Sequence, residues 1–379
     1  MVAGEASGDL LAAHLIAALK ARRPGIEFAG IGGPKMIAEG FESHYPMDRL
    51  SVRGYSEALR HYREIMGIRR RLVKGMIADR PDLFIGVDSS DFNLGIERRL
   101  REAGIKAFHF VSPSVWAWRA ERLHTIGRVV DRMLVLFPFE TPLYQSAGVA
   151  VTYVGHPMAA SAAGPDTRRA ARELLRIAPL TPVFALLPGS RLSEIEMHAA
   201  PVLQAAARIA KSRPDARFLV PLVSRPTRDA FVAALHRGRH GGLPLTILFG
   251  HAADALRAAD VALVASGTAS LEAALARCPH LIFYRVSALT ARIVARKLLL
   301  PYVGLPNVLA GRFVVPELLQ DEATPGNLAQ AALNLYDDAL TRGRLEALFG
   351  HFGAALRGDT GALAAEAVME ELAQAGVTC

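Results

Sequence analysis

Four short segments combine small residues with charged ones, and each sits where an apolar run gives way to a helical pattern. Open α/β sheets present ligand-contacting groups at that position. In Gly86-Val87-Asp88-Ser89-Ser90-Asp91-Phe92-Asn93, Asp88 closes the apolar run Leu83 to Val87. A carboxylate there can take the proton of an attacking hydroxyl. Asp91 stands at the start of the following helix and reads as its cap. The acidic spacing lacks the DxD form that holds a divalent ion on a sugar diphosphate, so no metal site and no cofactor are expected.

Leu187-Pro188-Gly189-Ser190-Arg191 follows a second apolar run and precedes a helix bearing Glu194 and Glu196. A guanidinium beside helix N-terminal amides can hold a phosphate. Ala265-Ser266-Gly267-Thr268-Ala269-Ser270-Leu271-Glu272 repeats the plan, and its amides and helix dipole suit a diphosphate. Glu272 lies one position beyond capping-box spacing from Thr268, so it either compensates the dipole or grips ribose hydroxyls. At the amino end, Ala3-Gly4-Glu5-Ala6-Ser7-Gly8-Asp9 has two glycines that let backbone approach a ligand. It reads as an anion or sugar cradle, or as a tight turn with Asp9 complementing a helix N-terminus. It is not a GxGxxG fingerprint, which disfavours a dinucleotide.

Other residues invite weaker readings. His156 in Gly155-His156-Pro157 reads as a structural histidine at a domain junction. Trp116 and Trp118 follow Ser112-Pro113-Ser114 and either line an acyl pocket or pack in the core. From Arg49 to Arg80, Arg49, Arg53, Arg60, Arg63, Arg69, Arg70, Arg71 and Lys74 alternate with apolar residues. Such a helix can rest on anionic lipid or stand solvated.

The elements that position these residues alternate short apolar strands with helices. Strands are expected at Ile26 to Ile31, Leu83 to Val87, Ile105 to Val111, Met133 to Phe137 and Val151 to Val154, with a first helix from Asp9, a long helix near Tyr55 to Ala78 and another after Asn93. Further strands are expected at Val183 to Leu187, Arg217 to Pro221, Leu245 to Phe249, Val261 to Ala265 and Leu281 to Tyr284. This is the rhythm of parallel sheets covered on both faces. Between Ala159 and Arg168 the composition turns to Ala, Ser, Gly and Pro, which places a domain boundary between residues 164 and 165. The expected division is 1–164 for an acceptor-side domain and 165–343 for a donor-side domain, with helices in 344–379 returning to the first. After Pro316 the chain reads as almost wholly helical. Only Met1-Val2 precedes the first turn, so a central strand is expected to be cut short and folding weakened.

The chain has 379 residues, of which 51% are hydrophobic and 21% charged, enough for two ordinary cores and against wholesale disorder. Its two cysteines, Cys278 and Cys379, cannot build a disulfide framework, and a cytoplasmic setting fits. No stretch reaches the roughly 20 apolar residues of a membrane-spanning helix. A net charge of +8 favours an anionic partner: nucleic acid, a phosphorylated small molecule or an anionic membrane. No RRM, KH or helix-turn-helix pattern supports nucleic acid.

Taken jointly, these motifs, with Val111-Ser112-Pro113-Ser114-Val115-Trp116-Ala117-Trp118-Arg119 and Leu305-Pro306-Asn307-Val308-Leu309-Ala310-Gly311, resemble the lipid-A-disaccharide synthase family over nearly the whole chain. The resemblance implies a GT-B fold, two Rossmann-like domains facing a cleft. It also implies metal-independent, inverting transfer of 2,3-diacylglucosamine from UDP to the 6-hydroxyl of 2,3-diacylglucosamine 1-phosphate, at the inner face of the bacterial inner membrane. It makes Asp88 the general base. Gly189, Ser190, Arg191, Ser266, Gly267, Thr268, Glu272 and Asn307 fall around the UDP, and Glu5, Ser7, Gly8 and Asp9 on the acceptor side. A homodimer is compatible with it. Ser90 departs from the family, which commonly has proline there. Rival readings are another GT-B enzyme acting on UDP-N-acetylglucosamine, a transferase or a 2-epimerase, and a nonenzymatic lipid- or nucleotide-binding protein.

Overall fold

In a computed structural model, the chain is described except for residues 51–54, 119–120, 163, 165–166, 288–289, 293–297 and 375–379, and the side chains of 55–62, 118 and 161. It forms two compact units, residues 1–160 with 356–379, and residues 161–355.

The first unit is built on a seven-stranded parallel sheet. Its strands are β1 (Val2–Ala3), β2 (Ala29–Gly32), β3 (Glu42–Pro46), β4 (Leu83–Val87), β5 (Lys106–Phe110), β6 (Arg132–Val135) and β7 (Ala150–Tyr153), in the order β3-β2-β1-β4-β5-β6-β7. Strand β1 is two residues long and central. Val2 pairs with Ile31 on one side and Gly86 on the other, and Ala3 with Val87. One face of this sheet buries Leu11, Leu15, Ile16, Phe108 and Phe110, and the other buries Ile68, Leu72, Phe84, Ile96 and Leu100. The helix Thr360–Gln374 packs on the helix Ala6–Arg22, where Gly361 lies so close to the His14 carbonyl that a Cβ would sit 2.7 Å from its oxygen.

The second unit carries β8 (Val183–Leu187), β9 (Arg217–Leu222), β10 (Leu245–Phe249), β11 (Val261–Ala265), β12 (His280–Tyr284) and β13 (Glu317–Leu319), in the order β10-β9-β8-β11-β12-β13. All pairs described in both sheets are parallel, and β8 and β11 are wholly buried, as their unbroken apolar runs require. The helix Ala339–Ala355 stays with this unit: Leu345, Phe349 and Phe352 enter its core, and Phe349 stacks on His280 at 5.4 Å.

Two strands depart from the expected pattern. Glu42–Pro46 alternates exposed and half-buried residues at the sheet edge and has no apolar run. Glu317–Leu319, in the segment expected to be helical, pairs with β12 over only three residues, too short for a period to register.

Candidate functional site

In each unit the strand order reverses direction at one point, between β1 and β4 in the first and between β8 and β11 in the second. Such switch points leave a crevice beyond the carboxyl ends of the strands. The four motifs occupy these two points.

In the first unit Asp88 leaves β4 in a left-handed turn, with φ of +56° at Asp88 and +42° at Ser89. Its amide donates to the Phe110 carbonyl at 2.8 Å. Its half-exposed carboxylate accepts the Ser89 amide on Oδ1 (2.8 Å) and the Ser7 hydroxyl on Oδ2 (3.3 Å). Both contacts leave lone pairs for a third donor. Beneath the turn, buried Asn93 donates to the carbonyls of Asp88 (2.8 Å) and Val2 (3.2 Å). Gly4 and Gly8 permit this closeness. A Cβ on Gly4 would overlap the Ser89 hydroxyl, and one on Gly8 would lie 3.3 Å from the Val87 carbonyl oxygen.

The remaining acceptor-side residues divide. Glu5 and Ser7 are exposed, and Glu5 precedes the helix Ala6–Arg22 without a side-chain capping bond. Asp9 is buried, and its two oxygens accept the amides of Gly33, Lys35 and Met36, each at 3.0 Å. It therefore caps the neighbouring helix Pro34–Ala38 and has no free face for a sugar, a correction to its expected place among acceptor contacts. Asp91, expected to cap the helix Ser90–Glu102, does not cap it. Ser89 is the N-cap, and the exposed Asp91 carboxylate pairs with Arg122.

In the second unit, Gly189 (φ +129°) and Ser190 turn the chain from β8 into the helix Leu192–Ser212. Glu194 folds back onto this turn. Its Oε2 accepts the amides of Ser190 (2.8 Å) and Arg191 (3.1 Å), and its Oε1 accepts from Arg191 Nη1 (3.2 Å) and the Tyr284 hydroxyl (3.1 Å). Burial works to raise this carboxyl, but the Arg191 and Ser190 amides and the guanidinium outweigh it and hold it below its ordinary value. A carboxylate thus already occupies the amides expected for phosphate. The Arg191 side chain, 77% exposed, keeps the rest of its fork for an external anion.

The Ser266–Thr268 turn is more open. Gly267 has φ of +147°, a conformation that favours glycine, and apart from its chain neighbours no atom lies within 4 Å of where a Cβ would stand, so the turn faces open space. Thr268 opens the helix Thr268–Leu275, so its first amides point into this space. Glu272, one turn on, is half-buried, and burial pushes its carboxyl above the ordinary value. Asn307 lies elsewhere in bonding terms. It is fully buried, donates to the Val315 carbonyl (3.0 Å) and Glu317 Oε1 (2.7 Å), and accepts the amides of Val314 (2.7 Å) and Val315 (2.9 Å). All four of its hydrogen-bonding positions are used within the protein, so its side chain latches residues 314–317 and has nothing left for a nucleotide.

Sequence reasoning missed two supports. His198 is buried, with Nδ1 2.8 Å from the Pro188 carbonyl and Nε2 3.1 Å from the Arg285 amide, so it ties the Gly189 turn to the end of β12. The spacing of four from Glu194 puts both on one helix face, a signal present in the sequence. Glu140 is the second. Burial pushes its carboxyl up to about 7, against bonds to the Phe137 amide and the Ser112 and Trp116 side chains. Trp116 meets Phe139 edge-on at 5.4 Å, Phe139 stacks on Phe137 at 5.4 Å, and His156 lies 5.2 Å from Phe137. Burial lowers His156 to about 4, and its Nδ1 accepts the Met158 amide at 3.2 Å. The side chain of Trp118 lies outside the described residues.

Comparison with known proteins bears on what this arrangement does. A family model described as lipid-A-disaccharide synthetase matches residues 1–357. The lipid-A-disaccharide synthase of Chromobacterium violaceum is 54% identical over 370 residues, covering 98% of this chain and 96% of the relative. Among solved structures, the S. aureus MnaA–UDP co-structure matches with a TM-score of 0.61 at 14% identity over 99% of this chain and 95% of the other. The UDP-GlcNAc 2-epimerase from Neisseria meningitidis bound to UDP-GlcNAc gives 0.56 at 12% identity over 96% and 97%. These structural likenesses speak for the fold, which is GT-B.

Proposed function

Because the chain belongs to the lipid-A-disaccharide synthase family, it is a glycosyltransferase of lipid A biosynthesis that uses a UDP-sugar, and we propose how its residues perform the transfer. The donor is UDP-2,3-diacylglucosamine and the acceptor 2,3-diacylglucosamine 1-phosphate. The products are the β-1,6-linked disaccharide 1-phosphate and UDP.

Asp88 is the general base. The observation that carries this is its placement: a half-exposed carboxylate at the switch point, oriented by the Ser89 amide and the Ser7 hydroxyl. The acceptor oxygen attacks the anomeric carbon as Asp88 takes its proton, the bond to UDP breaks, and one displacement inverts the configuration. Arg191 and the amides opening the helix at Thr268 stabilise charge on the departing diphosphate, so leaving-group stabilisation is assigned to the chain's own donors without a metal. Glu272 is assigned to the ribose hydroxyls, and Glu5 and Ser7 to the acceptor. Asp9 and Asn307 support these contacts through the backbone they hold. Incubation with both diacylated sugars and thin-layer detection of disaccharide and UDP tests the reaction. Absence of both products overturns it.

The protein is further proposed to attach peripherally to an anionic membrane surface, at the cytoplasmic face of the inner membrane. On the helix Tyr55–Asp79, Ile68 and Leu72 are buried, whereas Arg63, Arg70, Arg71 and Lys74 are exposed. No helix among the described residues is long and apolar enough to cross a membrane. Flotation with anionic vesicles is expected at low salt and to fade at high salt; association independent of salt, or none, contradicts this.

A further inference from the structure

Beside the Asp88 turn lies a chain of three polar side chains that this chemistry leaves unused. Glu97, on the inward face of the helix Ser90–Glu102, places Oε1 2.6 Å from Nδ1 of His109 in β5, and both side chains are 0% exposed. Nε2 of His109 lies 3.1 Å from the hydroxyl of Ser90, the half-buried first residue of that helix. Burial raises the Glu97 carboxyl against the pull of His109. Strand β4 is built around the pair: a Cβ on Gly86 would overlap Glu97 Oε1. Glycine within a strand costs roughly 0.5–1 kcal/mol, a cost that here makes room for a carboxylate.

Hydroxyl, imidazole and carboxylate in this order describe an activated nucleophile. Turnover of such a nucleophile requires the imidazole to pass its proton to a leaving group or take one from water. With no exposed side-chain surface, His109 can do neither. What the chain can do is hold the turn. Asp88 and Ser89 are consecutive side-chain-bearing residues at positive φ. Each costs of order 1–3 kcal/mol and persists only where its surroundings over-determine it. Asn93 fixes the carbonyl of Asp88 from below, and Ser90, directly after the strained pair, is tied through His109 to Glu97.

We propose that Ser90 is a positioning residue whose hydroxyl, anchored by the buried His109 and Glu97, holds the left-handed turn that aims the Asp88 carboxylate at the acceptor hydroxyl. This deepens the reading of Asp88 as the base and rests on it.

The test compares Ser90→Ala, Ser90→Thr and Asp88→Asn in the full chain, with the UDP-sugar varied and the diacylated acceptor at saturation. Ser90→Ala removes one hydroxyl at a half-buried helix start and is expected to fold, with its melting temperature within a few degrees of the parent. Its kcat is expected to fall about tenfold to a hundredfold, the scale of a small misplacement of a reacting group, with KM for the UDP-sugar unchanged. Ser90→Thr is expected to recover kcat to within a few-fold. Glu97→Gln, where folded by circular dichroism, is expected to show the same loss of kcat. Parental kcat in Ser90→Ala, no recovery in Ser90→Thr, or a loss that follows the folded fraction overturns the inference. Asp88→Asn is read separately. Parental turnover there removes the base assignment whatever Ser90→Ala does, and loss there with parental turnover in Ser90→Ala removes only the positioning role.

Discussion

Asn307 offers a quantitative way to separate contact with the nucleotide from support of the fold. In Asn307→Ala, the amides of Val314 and Val315 and the carbonyl of Val315 lose a buried partner, while Glu317 Oε1 keeps the Gly304 amide at 2.8 Å. An orphaned buried group costs about 1–3 kcal/mol, and three neighbours that share a loop will not add in full, which places the loss at about 3 kcal/mol. For a unit of this size each kcal/mol lowers the melting temperature by about 2–4 °C, so a fall of roughly 6–12 °C is expected. Scanning calorimetry reads this, and titration calorimetry with UDP at a temperature where the variant is folded reads the nucleotide. UDP affinity is expected within a few-fold of the parent. Asn307→Asp sets a carboxylate against Glu317 Oε1, which now receives the Asn307 amide at 2.7 Å. It is expected to be less stable than the alanine variant near neutral pH and to recover as acid protonates one of the two. An unchanged melting temperature with UDP binding lost in Asn307→Ala would refute the reasoning and put the side chain on the nucleotide.

Two further predictions concern the other residues placed above. Arg191→Ala is expected to weaken UDP binding by about tenfold or more while leaving the melting temperature within a few degrees, because an exposed guanidinium contributes little to the fold; unchanged UDP affinity by calorimetry contradicts it. Glu140 keeps its proton in the folded state to about pH 7 but ionises near its ordinary 4.5 when unfolded. Its contribution to stability is therefore fully present below about 4.5 and is lost as pH rises through 7, and Glu140→Gln is expected to flatten that decline in melting temperature; an identical pH profile contradicts it.

Much of the frame is legible in the sequence. The strands Leu83–Val87, Val183–Leu187, Leu245–Phe249 and Val261–Ala265 coincide with apolar runs bounded by turn residues, and all but the partly exposed edge strand Leu245–Phe249 are covered parallel strands, which tolerate little polarity. The motifs after three of them could be placed at strand ends for the same reason, and the strand order then sets those ends at the switch points. What the sequence withheld was direction. Asp9, Glu194 and Asn307 have the residue types of ligand contacts, yet their polar atoms turn toward backbone amides that lie distant in sequence or fold back from the next turn. Only the tertiary path of the loops decides that. The edge strand Glu42–Pro46 and the three-residue strand Glu317–Leu319 carried too little apolar signal to be seen.

The proposed transfer depends on Asp88 as its base, and turnover by Asp88→Asn, measured with both diacylated sugars beside UDP calorimetry on the same preparation, tests that role. A general base contributes about 10²–10⁴ in rate, so turnover is expected to fall by at least a hundredfold with UDP affinity unchanged. Turnover close to that of the parent would contradict it.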